Sequence, residues 1–114
     1  LLNYATSSAH IGLALYDDAK PNDRLMGVAS GKLCLYMRNA MPVITTRLDC
    51  FEWVERERCG LRVRSVDEIP QAAREIARDY DAYACNVRRY YAEHLDFTRT
   101  FEPVAAAVDR LAAR

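Results

Sequence analysis

The amino-acid sequence predicts an α/β domain, in which a Rossmann-like parallel sheet is flanked by helices and followed by a helical C-terminal segment. Three short apolar runs predict strands, at residues 11–16, 42–46 and 60–63. Segments of helical length separate these runs, at residues 30–39 and 49–58. Strands that alternate with helices favour right-handed crossovers and therefore a parallel sheet.

Each predicted strand has its own sequence features. The run IGLALY at residues 11–16 is apolar and is followed by the polar stretch DDAKPNDR, as in a strand covered on both faces. The run PVITT at residues 42–46 is rich in β-branched residues and begins with Pro42, where a strand tolerates a missing N–H donor. The third run, GLRV, is shorter and is flanked by charged residues.

From Ile69 onward the sequence predicts helices, because apolar residues recur at helical spacing. Pro103 is expected in the first turn of the last helix, with Thr98 or Thr100 as the cap, since proline is tolerated there. The apolar residues form three successive stripes: Ala72, Ala73, Ile76, Ala77 and Tyr80; Tyr83, Val87, Tyr90, Tyr91 and His94; and Phe101, Val104, Ala105, Val108, Leu111 and Ala112.

The length of 114 residues suits one domain. The chain begins with Leu1 rather than methionine, and residues 1–9 resemble the end of a helix. Three strands also make a thin sheet for a doubly wound domain. We therefore predict that residues 1–114 form a single Rossmann-like domain that is truncated at its N-terminus.

Composition and charge exclude several classes of function. Sixteen basic residues balance sixteen acidic ones, so no overall positive field is present and nucleic acid is not a predicted partner. Four cysteines without a C-x-x-C pair, and only two histidines, argue against a metal site. The apolar neighbours of the cysteines suggest buried free thiols in the cytoplasm, and a disulfide stays open as the alternative. No apolar run approaches the ~20 residues of a membrane-spanning helix, so no transmembrane segment is predicted. Peripheral attachment of the full-length protein to the inner face of a membrane stays open.

The loop after the first strand leads into a predicted anion site. In open parallel sheets, ligands bind outside the carboxyl ends of the strands. Ser30 is a good N-cap, Gly31 allows a ligand close to the free backbone N–H groups, and these groups attract anions. Lys32 lies at the wrong end of the helix dipole, which costs about 0.3 to 1 kcal/mol unless an anion such as phosphate compensates it.

An ion pair between Lys32 and a nearby aspartate explains the placement of this lysine equally well. The candidates are Asp17, Asp18 and Asp23, all in the loop before the helix. The spacing S-G-K does not decide between the two interpretations, and the P-loop pattern G-x-x-x-x-G-K-[ST] is absent.

Three further residues are candidates for binding a ligand at this edge. Arg24 in the first loop and Arg47 after the second strand can reach a phosphate or a sugar hydroxyl. Glu52 can contact a sugar, although Asp49-x-x-Glu52 is also the arrangement of a capping box at a helix start. The sequence contains no evident pair of nucleophile and base, so catalytic residues are not predicted.

The order of these segments resembles the C-terminal, nucleotide-sugar-binding domain of GT-B-fold glycosyltransferases. The first strand is similar to the family pattern G-L-x-L-Y, residues 30–46 to S-x-K-x-x-E-Y-x-x-x-G-x-P-V-I, and residues 59–63 to C-G-L-x-V. The resemblance covers nearly the whole chain. Its most specific part holds Lys32, Tyr36, Pro42, Val43 and Ile44.

The resemblance implies that the chain is a fragment of a two-domain enzyme and binds the diphosphate of a UDP- or GDP-linked sugar near Ser30, Gly31 and Lys32. It implies no metal and no cofactor apart from this donor substrate. The acceptor, a carbohydrate or a lipid-linked glycan, would be held by a missing N-terminal domain. A fragment of this kind is expected to bind the donor without catalysing transfer alone.

Two departures from the family pattern bear on activity. Retaining members have two glutamates eight positions apart where this chain has Gly27 and Leu35, and leucine cannot accept a hydrogen bond from a ribose hydroxyl. Ala40 replaces the usual glycine before Met41 and Pro42, and therefore needs a compatible backbone angle. A second hypothesis is thus a glycosyltransferase-like domain that has lost chemistry and acts as an interaction module. A nucleotide-sugar epimerase is a third, although the sequence has no evident acid and base for it.

Overall fold

The structure is a computed structural model that describes residues 9–17 and 19–113. It confirms an α/β fold with a three-stranded parallel sheet in the order β1-β2-β3, flanked by helices. The strands are β1, Gly12–Ala14; β2, Val43–Thr46; and β3, Gly60–Val63. The prediction for residues 1–9 falls almost entirely outside the described residues.

Six α-helices accompany the sheet in the described part of the chain. They are α1, Pro21–Arg24; α2, Gly31–Arg38; α3, Glu52–Arg56; α4, Ile69–Arg78; α5, Tyr80–Tyr90; and α6, Phe97–Ala112. Short 3-10 turns at Gly27–Ala29, Asp49–Phe51 and Val66–Glu68 precede α2, α3 and α4. One turn of π-helix, Tyr91–Leu95, joins α5 to the last helix.

Because the strands lie in chain order, crossovers of one hand place both connecting helices on the same face of the sheet. The buried clusters agree with this arrangement. On one face, Ala14 and Val43 pack with side chains of α2, α3 and α5. On the other face, Ile44 and Val63 pack against Ala72 and Ile76 of α4 and against Tyr83 of α5. These two clusters form the core.

The third strand matches its prediction, whereas the first two are shorter than predicted. The expectation that the first strand is covered on both faces is wrong for the described structure. Leu13 and Leu15 are 42% and 38% exposed. Leu13 pairs with Ile44, but α4 lies over β2 and β3 and leaves this side of β1 open.

The helix α2 ends in a Schellman motif without glycine. The Ala40 N–H donates to the Met37 carbonyl at 3.0 Å, and the Met41 N–H donates to the Tyr36 carbonyl at 3.1 Å. Ala40 has a φ of 57°, in the left-handed region that a Cβ disfavours. Ala40 therefore adopts the left-handed conformation that the usual glycine would adopt without strain.

The helix α3 ends in the same way. The Arg58 N–H donates to the Glu55 carbonyl at 3.1 Å, the Cys59 N–H donates to the Val54 carbonyl at 2.9 Å, and Arg58 has a φ of 55°. Both crossovers thus turn from helix to strand through one left-handed residue.

The residue that opens β3 is a glycine for a steric reason. An added Cβ at Gly60 would lie only 1.8 Å from the carbonyl oxygen of Val43, on the neighbouring strand. Since this contact is with backbone, no rotation of a side chain can relieve it. Strands β2 and β3 therefore approach each other at a point where only glycine fits.

The C-terminal segment is helical, as predicted, but its details differ. The last helix begins at Phe97 and is capped by Asp96, whose carboxylate accepts from the Thr98 N–H at 3.0 Å. Pro103 consequently lies inside the helix and not in its first turn, so that prediction is wrong. No helix among the described residues is long and apolar enough to cross a membrane.

The four cysteines form no disulfide with one another, and only one of them is fully buried. Cys59 is buried, and this burial, reinforced by the Glu57 carboxylate and opposed by Arg89, raises the pKa of its thiol to about 12. Burial also raises the pKa of the half-buried Cys34 thiol. Cys50 is half-buried and Cys85 is exposed, so the expectation of buried thiols is wrong for Cys85.

Replacing Ala40 by glycine is expected to stabilise the chain. A residue with a Cβ in the left-handed conformation destabilises the folded chain by about 1 to 2 kcal/mol, and glycine removes this strain. The greater flexibility of glycine in the unfolded chain offsets about 0.5 to 1 kcal/mol of the gain. Urea unfolding should therefore show a gain of about 0.5 to 1 kcal/mol for Ala40→Gly. Ala106→Gly, in the exposed interior of α6, should instead lose stability. A loss in both variants would contradict the assigned strain.

Candidate functional site

The start of α2 lies at the carboxyl edge of the sheet. Ser30 is its N-cap, as predicted, and the Ser30 hydroxyl accepts from the Leu33 N–H at 3.2 Å. Gly31 is exposed, and a methyl group added there would meet no atom within 4 Å. The N–H groups of Gly31 and Lys32 belong to the first turn, where no carbonyl of the helix can accept from them. Among the described residues, no group outside the helix accepts from these two donors.

Tyr16 connects this helix start to the sheet. Its N–H donates to Thr46 Oγ1 at the end of β2, at 2.6 Å. Its hydroxyl shares a hydrogen bond with the hydroxyl of Ser30, in which either group can donate. Its ring stacks on buried Phe51, with 5.7 Å between the ring centroids. Tyr16 therefore fixes the position of the N-cap relative to the ends of two strands.

The ammonium group of Lys32 lies over the ring of Tyr16, 4.7 Å from its centroid. This is a cation–π contact, which holds the charge close to the helix start. The ion pairs of the described residues do not join Lys32 to Asp17 or Asp23, and Asp18 lies outside those residues. Asp23 instead accepts from the Asp17 backbone N–H at 3.0 Å.

A basic cleft runs along the same edge of the sheet. It consists of two adjoining cavities of about 430 Å³ each, which share Arg47 and Asp49. The first is also lined by Pro21, Arg24, Leu25 and Leu48, and the second by Thr46, Arg62 and Arg64. We call this the carboxyl-edge cleft. It brings together two predicted site residues, Arg24 and Arg47, that lie far apart in the sequence.

The arginines of the cleft differ in what they contact. Arg62 is largely buried and structural, because its side chain donates to Glu55 at 2.7 Å and to the Leu48 carbonyl at 3.1 Å. Arg24, Arg47 and Arg64 are exposed, and none of them forms an ion pair with another described residue. The described lining of the cleft therefore carries a net positive charge, because Asp49 is the one carboxylate among its residues.

The Glu52 carboxylate pairs with a side chain of its own helix and does not face the cleft. Its carboxylate accepts from Arg56 at 3.0 Å, one turn further along α3, and both side chains are exposed. It does not line the carboxyl-edge cleft. The alternative prediction, a capping box with Asp49, is wrong because no side chain caps this helix and a 3-10 turn precedes it.

Two residues of this edge were missed at the level of sequence. In the sequence, Tyr16 is only the end of an apolar run, and Arg64 is only one of the charged residues beside the third run. A tyrosine as the last residue of a predicted strand, and an arginine directly after another, are the signals that identify them. Among the described residues, no group of three or more His, Cys, Asp or Glu is placed to hold a metal ion.

Comparison with family models, with curated proteins and with solved structures found no match to this chain.

The link between Tyr16 and Ser30 can be measured with a double-mutant cycle. Tyr16→Phe keeps the ring contacts and removes the hydroxyl, whereas Ser30→Ala removes the cap as well. We expect Ser30→Ala to cost about 1 kcal/mol through the lost cap alone, and the two side chains to be coupled by a further ~1 kcal/mol. Urea unfolding of the wild type, both single variants and the double variant gives the coupling. A coupling near zero would show that this hydrogen bond does not hold the helix start.

Proposed function

We propose that this chain is the donor-binding domain of a GT-B-type glycosyltransferase and holds the diphosphate of a nucleotide sugar at the carboxyl edge of its sheet. The observation that carries the proposal is the exposed start of α2, where the Gly31 and Lys32 N–H groups have no acceptor among the described residues and the Lys32 ammonium group lies over the ring of Tyr16. A helix N-terminus with free N–H groups binds phosphate because its donors and its dipole both favour negative charge.

The position of this helix start supports the proposal. Tyr16 contacts both Ser30 and Thr46, and Thr46 lines the carboxyl-edge cleft. The start of α2 and the carboxyl-edge cleft are therefore both adjacent to one residue, Tyr16. A ligand with several charged or polar parts can place one at the helix start and another among the arginines, as an extended nucleotide sugar would.

The exposed arginines of the cleft suit the same ligand. Arg24 and Arg47 line one cavity, and Arg47 and Arg64 line the next. Guanidinium groups bind phosphate and hydroxyl oxygens through several N–H donors in a fixed plane. In glycosyl transfer the diphosphate leaves with increased negative charge, which these cations and the helix start would stabilise. The acceptor would bind to the part of the enzyme that this chain lacks.

A catalytically inactive interaction module is the second candidate, and one observation favours it. Leu35 on α2 is half-buried and offers no hydrogen-bond acceptor at the position where the resemblance expects a glutamate. A domain without that carboxylate can bind an anion and still leave the donor sugar intact. Hydrolysis of a nucleotide sugar by the full-length protein would exclude this candidate.

Lys32→Ala is expected to weaken binding of UDP- or GDP-linked sugars by about tenfold, because a charged partner of the diphosphate is removed. Arg78→Ala supplies the control, since Arg78 is exposed at the end of α4 and loses the same charge without lining the cleft. Titration calorimetry with UDP, GDP and their sugars measures both. Failure of the unmodified chain and of the intact enzyme to bind any of them would overturn the proposed function.

Gly31→Ala separates ligand binding from stability. The space around Gly31 is empty, and alanine favours a helix over glycine by up to about 1 kcal/mol, so the variant should be as stable as the wild type or more stable. Its methyl group would occupy space beside the open N–H groups, and the affinity for the diphosphate should fall. Calorimetry and urea unfolding on the same sample give the two readouts. Unchanged affinity would mean that the phosphate binds elsewhere.

A further inference from the structure

The last helix carries an apolar face that the described residues do not cover. Its members are 43% to 71% exposed, and no residue of α6 is buried. The closest packing of α6 is against the π-helical turn that precedes it. We call this the α6 heptad face, and it consists of Phe97, Phe101, Val104, Val108 and Leu111.

The spacing of this face identifies the kind of partner that fits it. Its members follow one another at steps of four, three, four and three residues. An average step of 3.5 residues produces a narrow seam that stays in contact with one other helix when the two supercoil. The apolar stripe of this helix adds Ala105 and Ala112 to these positions, but each contributes only a methyl group beside the large side chains of the seam. The α6 heptad face is therefore suited to a single helix.

The residues beside the seam favour an identical helix. Charged residues at these flanking positions normally select or reject a coiled-coil partner. Here the flanking positions in α6 are uncharged and small, so two copies can approach closely without repulsion. These residues are Thr98, Thr100, Ala105, Ala107 and Ala112. The charges of α6 also cancel, because Arg99 and Arg110 balance Glu102 and Asp109.

We propose that the α6 heptad face pairs with the same face of a second copy of this chain, as a two-helix coiled coil. Pairing brings together ten partly exposed apolar side chains, four of which are phenylalanines. Within each copy the rings of Phe97 and Phe101 already stack, with centroids 5.0 Å apart. This surface is on the scale of the roughly 1,000 Å² that a specific interface needs. The carboxyl-edge cleft takes no part in it.

Sedimentation equilibrium of the full chain, from micromolar to millimolar concentration, tests the proposal. The wild type should pass from monomer to dimer as the concentration rises. A variant with both Val104→Glu and Val108→Glu places unpaired carboxylates in the seam, and its dissociation constant should rise by at least about a hundredfold. Ala106→Glu is the matched control, because Ala106 is exposed on the opposite side of α6 and its variant should still dimerise. Circular dichroism should show the same helix content in all three proteins, since no buried residue is changed.

Three results would overturn the proposal. A wild type that stays monomeric at every concentration would mean that some other surface covers this face. A dimer that survives both glutamates would place the interface elsewhere on the chain. Equal loss of dimer in the Ala106→Glu control would show that added negative charge, and not the seam, is responsible.

Discussion

The contacts of Tyr16 determine how the carboxyl edge of this domain is arranged. Its backbone N–H is bound to the end of β2 and its hydroxyl to the N-cap of α2, while its ring contacts both Phe51 and Lys32. One residue thus sets the distance between the sheet and the start of a helix. The open N–H groups of that helix and the arginines of the cleft can act on one ligand only while this distance is kept.

The parallel topology explains why the polar residues collect at that edge. Strands β2 and β3 each follow a helix, and all three strands lead into a loop. Arg47 and Arg64 directly follow β2 and β3, and Tyr16 lies two residues beyond β1. The opposite edge is built from tight turns, in which Ala40 and Arg58 each adopt a left-handed conformation between helix and strand. Those turns leave little room for a ligand, whereas the longer loops of the carboxyl edge enclose the cleft.

The elements that depend on local pattern could be predicted from sequence. The β-branched run before Arg47 and the serine before Gly31 predicted a strand and a helix cap, and both are present. The features that depend on tertiary packing could not. The exposure of Leu13 follows from where α4 lies on the sheet, and no property of residues 11–16 encodes that. The pairing of Glu52 with Arg56 in place of a cap likewise follows from a 3-10 turn that displaces the helix start.

The absence of a side chain at Gly60 also controls the spacing of charges in the cleft. Gly60 contacts the Val43 carbonyl, Arg62 lies on the same strand and Arg64 directly follows it. Arg47 directly follows the neighbouring strand and donates its N–H to the Val63 carbonyl at 2.8 Å. A single methyl group at position 60 would push β2 and β3 apart at the ends where they begin. The arginines at the carboxyl ends of these strands would then change their positions. The substitution itself would lie at the opposite edge of the sheet, where no ligand is expected.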